Sequence, residues 1–403
     1  MRTPLSLQRY DVIVVGMGPA GASAAYALRQ QGVSVLAFDK QVHPRYKVCG
    51  GGLSARIAKI LPADFLGIVE ATVKRVQFRY GAQESFLIES SYPIAYMVMR
   101  QDFDQWLVEK ARQAGTAIHE GEGVVQIQNG EDGVDVVTTH DRYRSRAVIG
   151  ADGVMSVVAQ QCFPGRPLPK IPALESEVDE GGTHPFQDMP TALISLQAAK
   201  KGYGWIFPKQ DGLSLGVGEF AQGAKRPKQS FRDFIGHEPT LAGLKIPTPL
   251  GYSIPIAPPQ AYRNGQTGVG RLVRGRAMLV GDAGHLVDPL LGEGIYYAIR
   301  SGQLAATSVA DMLKDPIASR LNHYETLVAN EFGPEFRVAG RLGKIVYGMP
   351  RVLHRWAGRQ YPDAYRRVLH RYCEVLQGKE TYQSLWNRIL HRLHWPLAEK
   401  PSA

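Results

Sequence analysis

The first part of the chain alternates between short apolar runs and one alanine-rich segment. Asp11–Val15 is apolar and rich in β-branched residues, which is typical of a strand buried in a parallel sheet. Ala20–Gln31 predicts a helix, and Gly32 provides a glycine stop at its end. A second apolar strand, Val33–Phe38, follows. This order of strand, helix and strand indicates the beginning of an α/β fold with a parallel sheet.

The same kinds of pattern continue along the chain. A strand-like piece ends at Arg100, and Phe103, Leu107 and Ala111 then share one face of a predicted helix. Five further apolar runs predict strands: residues 117–119, 124–128, 134–139, 143–149 and 277–280. A long helix is predicted over Ile295–Leu313 and returns the chain to the α/β pattern.

The middle of the chain, Phe163–Arg263, has a different sequence pattern, with many prolines and short runs of alternating apolar and polar residues. Such alternation predicts an antiparallel sheet, and a hairpin predicted over Val73–Ile88 interrupts the α/β pattern before it. Tyr203, Trp205 and Phe207 alternate along one strand face. They suit one wall of a substrate pocket, and a plain sheet core is the alternative for each of them.

From about Asn322 the chain is predicted to be helical and basic, with breaks at Pro334, Pro350 and Pro362. Two sets of residues have amphipathic spacing: Val352, Trp356 and Arg359, and then Tyr365, Leu369 and Tyr372. Packing of that face against the main body is the favoured interpretation, and membrane contact is the alternative.

Gly16, Gly18 and Gly21 have the spacing G-x-G-x-x-G between the first predicted strand and the first helix. The first glycine allows a tight turn, the second lets the backbone approach a pyrophosphate, and the third lets helix and strand pack closely. The helix N-terminus offers free N–H groups to phosphates. Asp39 ends the second strand, where it can accept hydrogen bonds from ribose hydroxyls. The stretch therefore predicts a dinucleotide site, with an ordinary strand–helix–strand unit as the alternative.

Composition narrows the class of protein. The chain has 403 residues, of which 44% are apolar, enough for a sizeable core in two or three domains. Its three cysteines, Cys49, Cys162 and Cys373, are few and far apart, which suits a reducing compartment and excludes a zinc site built from cysteines. The N-terminus lacks the apolar core of a signal peptide, and no run of about 18 apolar residues predicts a spanning helix. We therefore expect a cytoplasmic protein without a metal site.

The net charge of +10 is concentrated near the C-terminus. From Arg341 to Ala403 there are 12 Lys or Arg residues and 4 Asp or Glu residues, an excess of +8. Three interpretations stay open: a generic basic surface, an anionic membrane surface as partner, or a substrate that carries a diphosphate. No nucleic-acid motif accompanies the charge, so no nucleic-acid partner is expected.

Several motifs together resemble a known group of flavoproteins. DVIVVGMGPAG, GADG and GDAGHLVDPLLGEGI look like the aromatic-hydroxylase superfold of flavoproteins with two dinucleotide-binding domains. Within that group, PRYKVCGGGLS, GYGWIFPK and GEGI are similar to the geranylgeranyl reductase family. The resemblance covers about residues 10–320 of the chain.

The resemblance implies a fold class and its domains. The fold class is α/β, with a Rossmann-like FAD-binding domain of the aromatic-hydroxylase type, an antiparallel-sheet substrate domain and a C-terminal helical region. The expected ranges are 1–72, 97–160 and 266–320 for the FAD-binding domain, 73–96 and 161–265 for the substrate-binding sheet, and 321–403 for the basic helical region.

The resemblance also implies non-covalent FAD. Its pyrophosphate would lie on the glycine turn, and the ribose of its AMP half on Asp39. Beside the isoalloxazine, a positive helix N-terminus would stabilise the negative charge that reduced flavin carries near N1. The implied cofactor-binding residues are Gly16, Gly18, Ala20, Gly21, Asp39, Lys40, Cys49, Gly50, Gly51, Arg100, Val124, Asp152, Gly153, Asp282, Pro289, Gly292, Gly294 and Ile295. His285 is interpreted as a structural histidine, with a catalytic role as the alternative.

The implied activity is reduction of isolated C=C bonds in a polyprenyl (geranylgeranyl) chain, with hydride from the flavin N5 and a proton. A prenyl lipid or prenyl diphosphate is the expected substrate, and it would lie on Tyr203, Trp205 and Phe207. Cys49 is the first candidate for the proton donor, with Tyr203 and ordered water as the others. NADPH and ferredoxin both stay open as electron donors. A monomer is favoured, and peripheral membrane contact would use the basic C-terminal region.

Two other functions stay open from the sequence. An FAD-dependent monooxygenase, halogenase or epoxidase acting on a hydrophobic substrate would share the cofactor fold. Halogenases usually carry a Trp-x-Trp-x-Ile-Pro motif, whereas this chain has Tyr-Gly-Trp-Ile-Phe-Pro from Tyr203. A flavin-binding sensor without catalysis is the other alternative. Oxygen consumption would indicate the monooxygenase class, and flavin content without turnover would indicate the sensor.

Overall fold

The computed structural model describes the chain over residues 9–80, 84–165, 170–179, 181, 184–196, 198–199, 201–220, 226–256, 271–315 and 321–394. The extreme N-terminus, on which the expectation about a signal peptide rests, and the boundary predicted at residue 265 lie outside those ranges. The chain forms two compact units: Met1–Lys47, Arg100–Lys170 and Ser253–Gly333 make the first, and Val48–Met99, Ile171–Tyr252 and Pro334–Ala403 make the second. The three-part division expected from the sequence stays a prediction.

The elements are numbered in chain order. The strands are β1 (Arg9–Val15), β2 (Val35–Asp39), β3 (Gly52–Ser54), β4 (Ala71–Val73), β5 (Arg75–Tyr80), β6 (Glu84–Glu89), β7 (Ala95–Met97), β8 (Ala117–Glu120), β9 (Val124–Asn129), β10 (Val134–Thr138), β11 (Arg142–Gly150), β12 (Lys170–Asp179), β13 (Thr191–Leu196), β14 (Gly202–Pro208), β15 (Gly212–Glu219), β16 (Leu250–Pro255), β17 (Val273–Arg274) and β18 (Ala277–Leu279). The α-helices are α1 (Pro19–Gln30), α2 (Arg100–Gln113), α3 (Val157–Cys162), α4 (Pro227–His237), α5 (Ile295–Lys314), α6 (His323–Gly348), α7 (Arg351–Gln360), α8 (Pro362–Leu376) and α9 (Tyr382–His394).

The sheet of the first unit is built around β1. Strands β18, β11, β1, β2 and β8 follow one another in that order, and each neighbouring pair is parallel. β17 adds an antiparallel edge next to β18, and the antiparallel strands β9 and β10 join the sheet through β11. Val12–Val15 are buried, as expected for a strand covered on both faces. The parallel sheet predicted from the continuous apolar runs is confirmed.

Helices α1 and α5 pack closely in the first unit because both present small residues. Ala20 and Ala24 of α1 are buried. A Cβ at Gly302 of α5 would overlap the Ala20 carbonyl oxygen and would lie 3.0 Å from the amide nitrogen of Ala24. The contact between the two helices therefore depends on the absence of a side chain at position 302.

The second unit contains a seven-stranded sheet in the order β16, β12, β15, β14, β13, β5 and β6. The pairs β12–β15, β14–β15, β13–β14 and β5–β6 are antiparallel, which confirms the antiparallel sheet and the pairing of the predicted hairpin. The pair β13–β5 is parallel, which the alternation of residues did not predict. A parallel pair needs a long crossover, and the chain between Tyr80 and Thr191 supplies one.

One face of this sheet forms an apolar core with α4. Leu193, Ile206 and Leu215 are buried on three neighbouring strands, and they pack with Phe231 and Phe234 of α4. A separate small sheet pairs β7 with β3 and with β4, both antiparallel. The second unit thus has its own hydrophobic core.

The C-terminal part is helical as predicted, but the first predicted break is wrong. Pro334 lies inside α6, where it lacks the N–H of one helical hydrogen bond. Burial of Phe332 and Phe336 on either side favours a continuous helix and outweighs that loss. Pro350 precedes α7 and Pro362 opens α8, so both breaks are confirmed there. Within the described ranges, no helix combines the length and apolar composition needed to cross a bilayer.

The two amphipathic sets of the C-terminal region differ in their surroundings. Leu369 and Tyr372 of α8 are buried, so the packing interpretation is confirmed for them. Val352 and Trp356 of α7 are exposed, so that interpretation is wrong for these two residues. The reason is that His354 takes the buried position on α7, and side chains two positions away on either side point elsewhere.

Gly302→Ala is expected to lower the free energy of unfolding by about 1–3 kcal/mol, because α1 and α5 must move apart to admit a methyl group. Gly236→Ala in α4 is the matched control. No described heavy atom lies within 4 Å of a Cβ added there, so the better helix propensity of alanine should stabilise the protein by about 0.5–1 kcal/mol. Denaturant unfolding followed by circular dichroism measures both effects. Equal effects of the two substitutions would contradict this account of the helix contact.

Candidate functional site

The turn between β1 and α1 contains two crowded glycines. Gly16 has a φ of 92°, and a Cβ there would lie 2.6 Å from the carbonyl oxygen of Ala151. A Cβ at Gly21 would overlap the carbonyl oxygen of Gly16. The Gly16 N–H donates to the Phe38 carbonyl oxygen at 2.7 Å, which ties the turn to the end of β2. Both glycine positions therefore exclude a side chain.

The space at Gly18 is open by comparison. Gly18 is the N-cap of α1, and the described atom nearest to an added Cβ is Nη2 of Arg45, at 3.6 Å. Pro19 occupies the first helical position, and the first turn of α1 carries no acidic residue. The helix end and the guanidinium together make an electropositive place with room for an anion such as a pyrophosphate.

Arg45 is held by a buried carboxylate. Asp104 of α2 is fully buried, and its Oδ2 lies 3.1 Å from Nη1 of Arg45. Nε and Nη2 of Arg100 also donate to the two Asp104 oxygens, each at 2.9 Å. Two guanidinium groups thus share the one Asp104 carboxylate, so this group of three side chains has one positive charge in excess.

Of these three residues, only Arg100 is predicted from the sequence as a site residue. The spacing of Arg100 and Asp104, four residues apart at a helix start, could have identified that pair. Arg45 belongs to the PRYKVCGGGLS motif, but its partner lies far along the chain and no local pattern indicates it. The contact of Arg100 with a cofactor stays a prediction.

Asp39 ends β2 and is buried. Its Oδ2 accepts a hydrogen bond from the Met17 N–H at 2.8 Å, and its Oδ1 accepts one from the Gln41 N–H at 2.9 Å. A carboxylate has about four acceptor sites, so Asp39 can hold the turn and still accept from ribose hydroxyls. Lys40 next to it is exposed, and Val124 begins β9 in the same unit.

Asp152 follows β11 and connects it to α3. Its Oδ2 accepts hydrogen bonds from the N–H groups of Val157, at 2.6 Å, and Val158, at 3.3 Å. Burial raises the pKa of the Asp152 carboxyl, and these hydrogen bonds offset part of the rise. Gly153 beside it has a φ of 75°. Asp152 therefore caps the first N–H groups of α3, which is a structural role. Its contact with a cofactor stays a prediction.

The segment between β18 and α5 bends in left-handed conformations. Gly281 has a φ of 54°, and a Cβ there would lie 2.9 Å from the Cβ of Ala20 on α1. Its N–H donates to Oγ of Ser301 at 3.0 Å. His285 is buried in the same bend with a φ of 55°. The bend places Asp282 near the start of α5, because Oδ1 of Asp282 lies 3.6 Å from the position of a Cβ on Gly294.

Asp288 shapes the turn that leads into α5. It is fully buried, and its Oδ1 accepts hydrogen bonds from the N–H groups of Leu290, at 2.7 Å, and Leu291, at 2.9 Å. Gly294 is the N-cap of α5, and the first turn of that helix carries no acid. The predicted residues of this segment all lie on the turn or at the helix start: Pro289, Gly292, Gly294 and Ile295. Asp288 is not among the residues predicted from the sequence, although an aspartate that accepts from the N–H groups two and three residues later is a known turn signal.

In the second unit, a buried lysine holds the Cys49–Gly52 loop. Nζ of Lys209 donates to the carbonyl oxygens of Gly50, at 2.9 Å, and Val98, at 2.8 Å. A Cβ at Gly51 would overlap the Val98 carbonyl oxygen, and Gly51 has a φ of 64°, so the loop needs glycine there. Burial lowers the pKa of Lys209 to about 8, although nearby carboxylates and Cys49 act in the opposite direction. Lys209 belongs to the GYGWIFPK motif but is not among the site residues predicted from the sequence.

The same loop meets the aromatic row of β14. Ring centroids are 5.9 Å apart between Tyr203 and Trp205, and 6.3 Å apart between Trp205 and Phe207. A Cβ at Gly50 would lie 2.8 Å from Nε1 of Trp205 and 3.0 Å from the Phe207 ring. A Cβ at Gly216 would overlap the Trp205 ring. The structure therefore brings together the predicted glycine loop and the three predicted aromatic residues.

The three cysteines differ in their access to solvent. All three thiols are free; Cys49 is half-buried, whereas Cys162 and Cys373 are buried. Burial raises the pKa of Cys162 to about 11 and that of Cys373 to about 12, so both stay protonated and inert at neutral pH. Cys49 is therefore the thiol best placed to take part in chemistry.

Comparison with known proteins identifies the family. Residues 9–329 match the family model described as an FAD binding domain. The geranylgeranyl diphosphate reductase of Rhodobacter capsulatus is 30% identical over 344 residues, which cover 82% of this chain and 82% of that protein. The chain belongs to the geranylgeranyl reductase family of FAD-dependent oxidoreductases. Digeranylgeranylglycerophospholipid reductase 2 of Methanopyrus kandleri is 29% identical over 369 residues, or 83% of this chain and 86% of that protein.

A solved structure supports the fold of this family member. The geranylgeranyl bacteriochlorophyll reductase-like protein of Thermoplasma acidophilum superposes with a TM-score of 0.75, covers 94% of both chains and is 21% identical. The predicted family, fold class, enzyme class and the FAD cofactor are confirmed. The role of each site residue and the electron donor stay predictions.

The residues of the first unit fit FAD. The open space at Gly18, the acid-free helix start and the guanidinium of Arg45 suit its pyrophosphate. Asp39 has acceptor capacity for a ribose. The N-terminus of α5, capped at Gly294, supplies a positive helix end of the kind that stabilises a reduced, anionic flavin.

Asp104→Asn is expected to weaken FAD retention roughly tenfold, because Arg45 loses the charge-assisted contact that holds it beside the glycine turn. It should also destabilise the protein by about 3–5 kcal/mol, since two guanidinium groups lose their buried counter-charge. Asp102→Asn on the same helix is the control, because Asp102 is exposed. FAD absorbance after gel filtration and denaturant unfolding report the two effects. Wild-type FAD content in the Asp104 variant would overturn the assignment.

Lys209→Met is expected to destabilise the second unit by about 2–6 kcal/mol, because two buried carbonyl oxygens lose their donor. The loosened loop should also raise the rate of Cys49 alkylation by iodoacetamide at pH about 10, where Lys209 is mostly uncharged in the wild type and its charge no longer favours the thiolate. Lys344→Met, at an exposed position of α6, is the matched control and should change neither quantity. Unfolding curves and mass spectrometry of the alkylated peptide measure both. An unchanged alkylation rate would mean that Lys209 does not position Cys49.

Proposed function

We propose that this protein hydrogenates isolated C=C bonds of a polyprenyl chain as an FAD-dependent reductase. The observation that carries the proposal is the 30% identity, over 82% of both chains, with a protein named geranylgeranyl diphosphate reductase. The aromatic row of Tyr203, Trp205 and Phe207 supports it, because such rings offer an apolar surface to a hydrocarbon chain. A prenyl diphosphate or a prenyl lipid is the proposed substrate.

Residues of the glycine turn and of the segment before α5 are proposed to hold the two halves of the cofactor. The pyrophosphate would lie beside Gly18 and Arg45, and the AMP ribose would lie on Asp39. Asp282 and the N-terminus of α5 would serve the flavin half. The remaining proposed cofactor residues follow from the family resemblance: Gly16, Ala20, Gly21, Lys40, Cys49, Gly50, Gly51, Arg100, Val124, Asp152, Gly153, Pro289, Gly292, Gly294 and Ile295.

The reaction adds a hydride to one carbon of the double bond and a proton to the other. When bound in its reduced form, FAD supplies the hydride. Cys49 is the proposed proton donor, because its thiol is the more accessible of the three and Lys209 fixes the adjoining Gly50 carbonyl. After each turnover the thiolate regains a proton from water. Tyr203 of the aromatic row is the second candidate.

The substrate must be shielded from water while this happens. Tyr203 and Trp205 are buried, and Gly50 packs against the rings of Trp205 and Phe207. An apolar chain on these rings would keep bulk water away from the double bond. Two electrons must then reach the cofactor for each bond reduced, and NADPH or reduced ferredoxin is the proposed source.

The test is an anaerobic reduction assay. The purified flavoprotein is reduced with dithionite and mixed with geranylgeranyl diphosphate, and flavin reoxidation is followed with mass analysis of the lipid. We expect the flavin to be reoxidised and the lipid to gain about two mass units, the mass of H₂, for each bond reduced. A flavin that stays reduced until oxygen enters, followed by an oxygenated apolar product, would instead establish a monooxygenase. Substituting NADPH or reduced ferredoxin for dithionite then identifies the donor.

Cys49→Ser is expected to slow single-turnover lipid reduction roughly 10²–10⁴-fold, the range for loss of a positioned acid, when the rate is expressed per bound FAD. Cys162→Ser is the control and should react at nearly the wild-type rate, because the Cys162 thiol is buried. Rapid mixing of the reduced proteins with substrate gives the rates. If Cys49→Ser reacts as fast as the wild type, the thiol is not the donor, and Tyr203→Phe is the next variant to measure.

A further inference from the structure

Helix α7 exposes a group of large apolar side chains. The exposed fractions are 73% for Val352, 50% for Leu353, 57% for Trp356 and 54% for Tyr361, which follows the helix. Trp356 and Tyr361 contact each other edge to face, with ring centroids 5.8 Å apart. We call these four residues the α7 surface. Three large apolar residues on one short helix, together with the tyrosine that contacts Trp356, make up more exposed apolar surface than single scattered residues do.

The opposite edge of α7 fixes the helix to the second unit. The His354 ring lies 5.3 Å from that of Tyr80, and a Cβ at Gly358 would lie 3.6 Å from the Phe86 ring. His354 also bonds the Tyr365 hydroxyl and the Val346 carbonyl oxygen, each at 2.8 Å. Because this edge is anchored, α7 cannot turn its apolar surface inward. The contacts on the other side of the helix therefore keep the α7 surface exposed to solvent.

The surroundings of the α7 surface are strongly basic. The segment from Arg351 to Arg371 contains six arginines and one acidic residue, Asp363. Arg355 and Arg359 share Glu84 at 3.9 and 2.6 Å, yet their side chains are 52% and 66% exposed. Arg366 and Arg367 of α8 are exposed as well. Tryptophan and aliphatic residues bordered by arginines match the composition of helices that lie in the interface of an anionic bilayer.

We propose that the α7 surface binds an anionic lipid bilayer, with Val352, Leu353 and Trp356 in the headgroup region and the arginines on lipid phosphates. A second copy of this chain is a poorer occupant, because a two-fold contact of this surface would bring its arginines against one another. The binding needs no catalysis, so the inference goes beyond the proposed reaction and does not depend on it.

Vesicle sedimentation with the FAD-loaded full chain tests the proposal. Vesicles of equal parts phosphatidylglycerol and phosphatidylcholine are compared with vesicles of phosphatidylcholine alone, at low and at high salt. The wild type is expected to sediment with the anionic vesicles and to be released by salt. The variant Val352→Ser/Leu353→Ser/Trp356→Ser should bind at least about tenfold more weakly, since little apolar area is left to bury.

Two further variants separate charge from general surface effects. Arg366→Gln/Arg367→Gln should weaken binding to anionic vesicles roughly 30-fold, about fivefold for each arginine near the lipid surface. Met189→Ser removes an apolar residue that is 61% exposed elsewhere in the second unit, and it should bind like the wild type. FAD absorbance and circular dichroism verify that each variant is folded.

The proposal is overturned if the wild type sediments equally with and without anionic vesicles, or if the triple serine variant binds them like the wild type. A third contrary outcome is self-association: if the wild type dimerises without lipid and the triple variant is monomeric by analytical ultracentrifugation, the α7 surface is an interface between copies of the chain. Because none of these measurements involves lipid reduction, failure here leaves the proposed reaction untouched.

Discussion

The first unit depends on contacts between backbone segments that lie too close together to admit a side chain. A Cβ at Gly21 would overlap the Gly16 carbonyl, and one at Gly302 would overlap the Ala20 carbonyl. Helix α1 is thereby fixed at its first turn against a strand end and along its side against α5. The amide groups at its N-terminus are held in place by packing that needs no ligand. A donor array that is ordered in advance loses little entropy when an anion binds, which is the physical use of glycine at these positions.

In each unit, a buried charged side chain holds a loop in place. In the first unit the carboxylate of Asp104 lies between the guanidinium groups of Arg45 and Arg100. In the second unit the ammonium of Lys209 lies between two carbonyl oxygens, one of which belongs to Gly50. Burying a charge costs desolvation energy that the new contacts only offset, so such groups contribute little net stability. We infer that both act on geometry, because each fixes a loop that local backbone preferences leave free.

Local patterns in the sequence predicted those features whose causes are local. The apolar run at Val12–Val15 predicted a buried parallel strand, and the glycine spacing predicted the turn after it. Lys209 could not be placed in the same way, because its partners Gly50 and Val98 are 159 and 111 residues away in sequence. Pro334 was expected to end a helix, but burial of its apolar neighbours outweighs one lost hydrogen bond. Long-range packing thus decided the places of Lys209 and Pro334, whereas Asp104 and Asp288 had local signals in the sequence.

Helix α7 shows why an amphipathic period alone does not reveal which face meets the protein. The buried position is taken by His354, whose Nε2–H donates to the Val346 carbonyl and whose Nδ1 accepts from the Tyr365 hydroxyl. Burial lowers the pKa of His354, so the ring stays neutral and can make both bonds. With a polar side chain satisfied inside, the apolar side chains around Trp356 are left outside. For an enzyme whose proposed substrate is a prenyl lipid, such a surface has a kinetic consequence. Confinement to the bilayer interface raises the local concentration of substrate without any change in the aromatic row that would receive it.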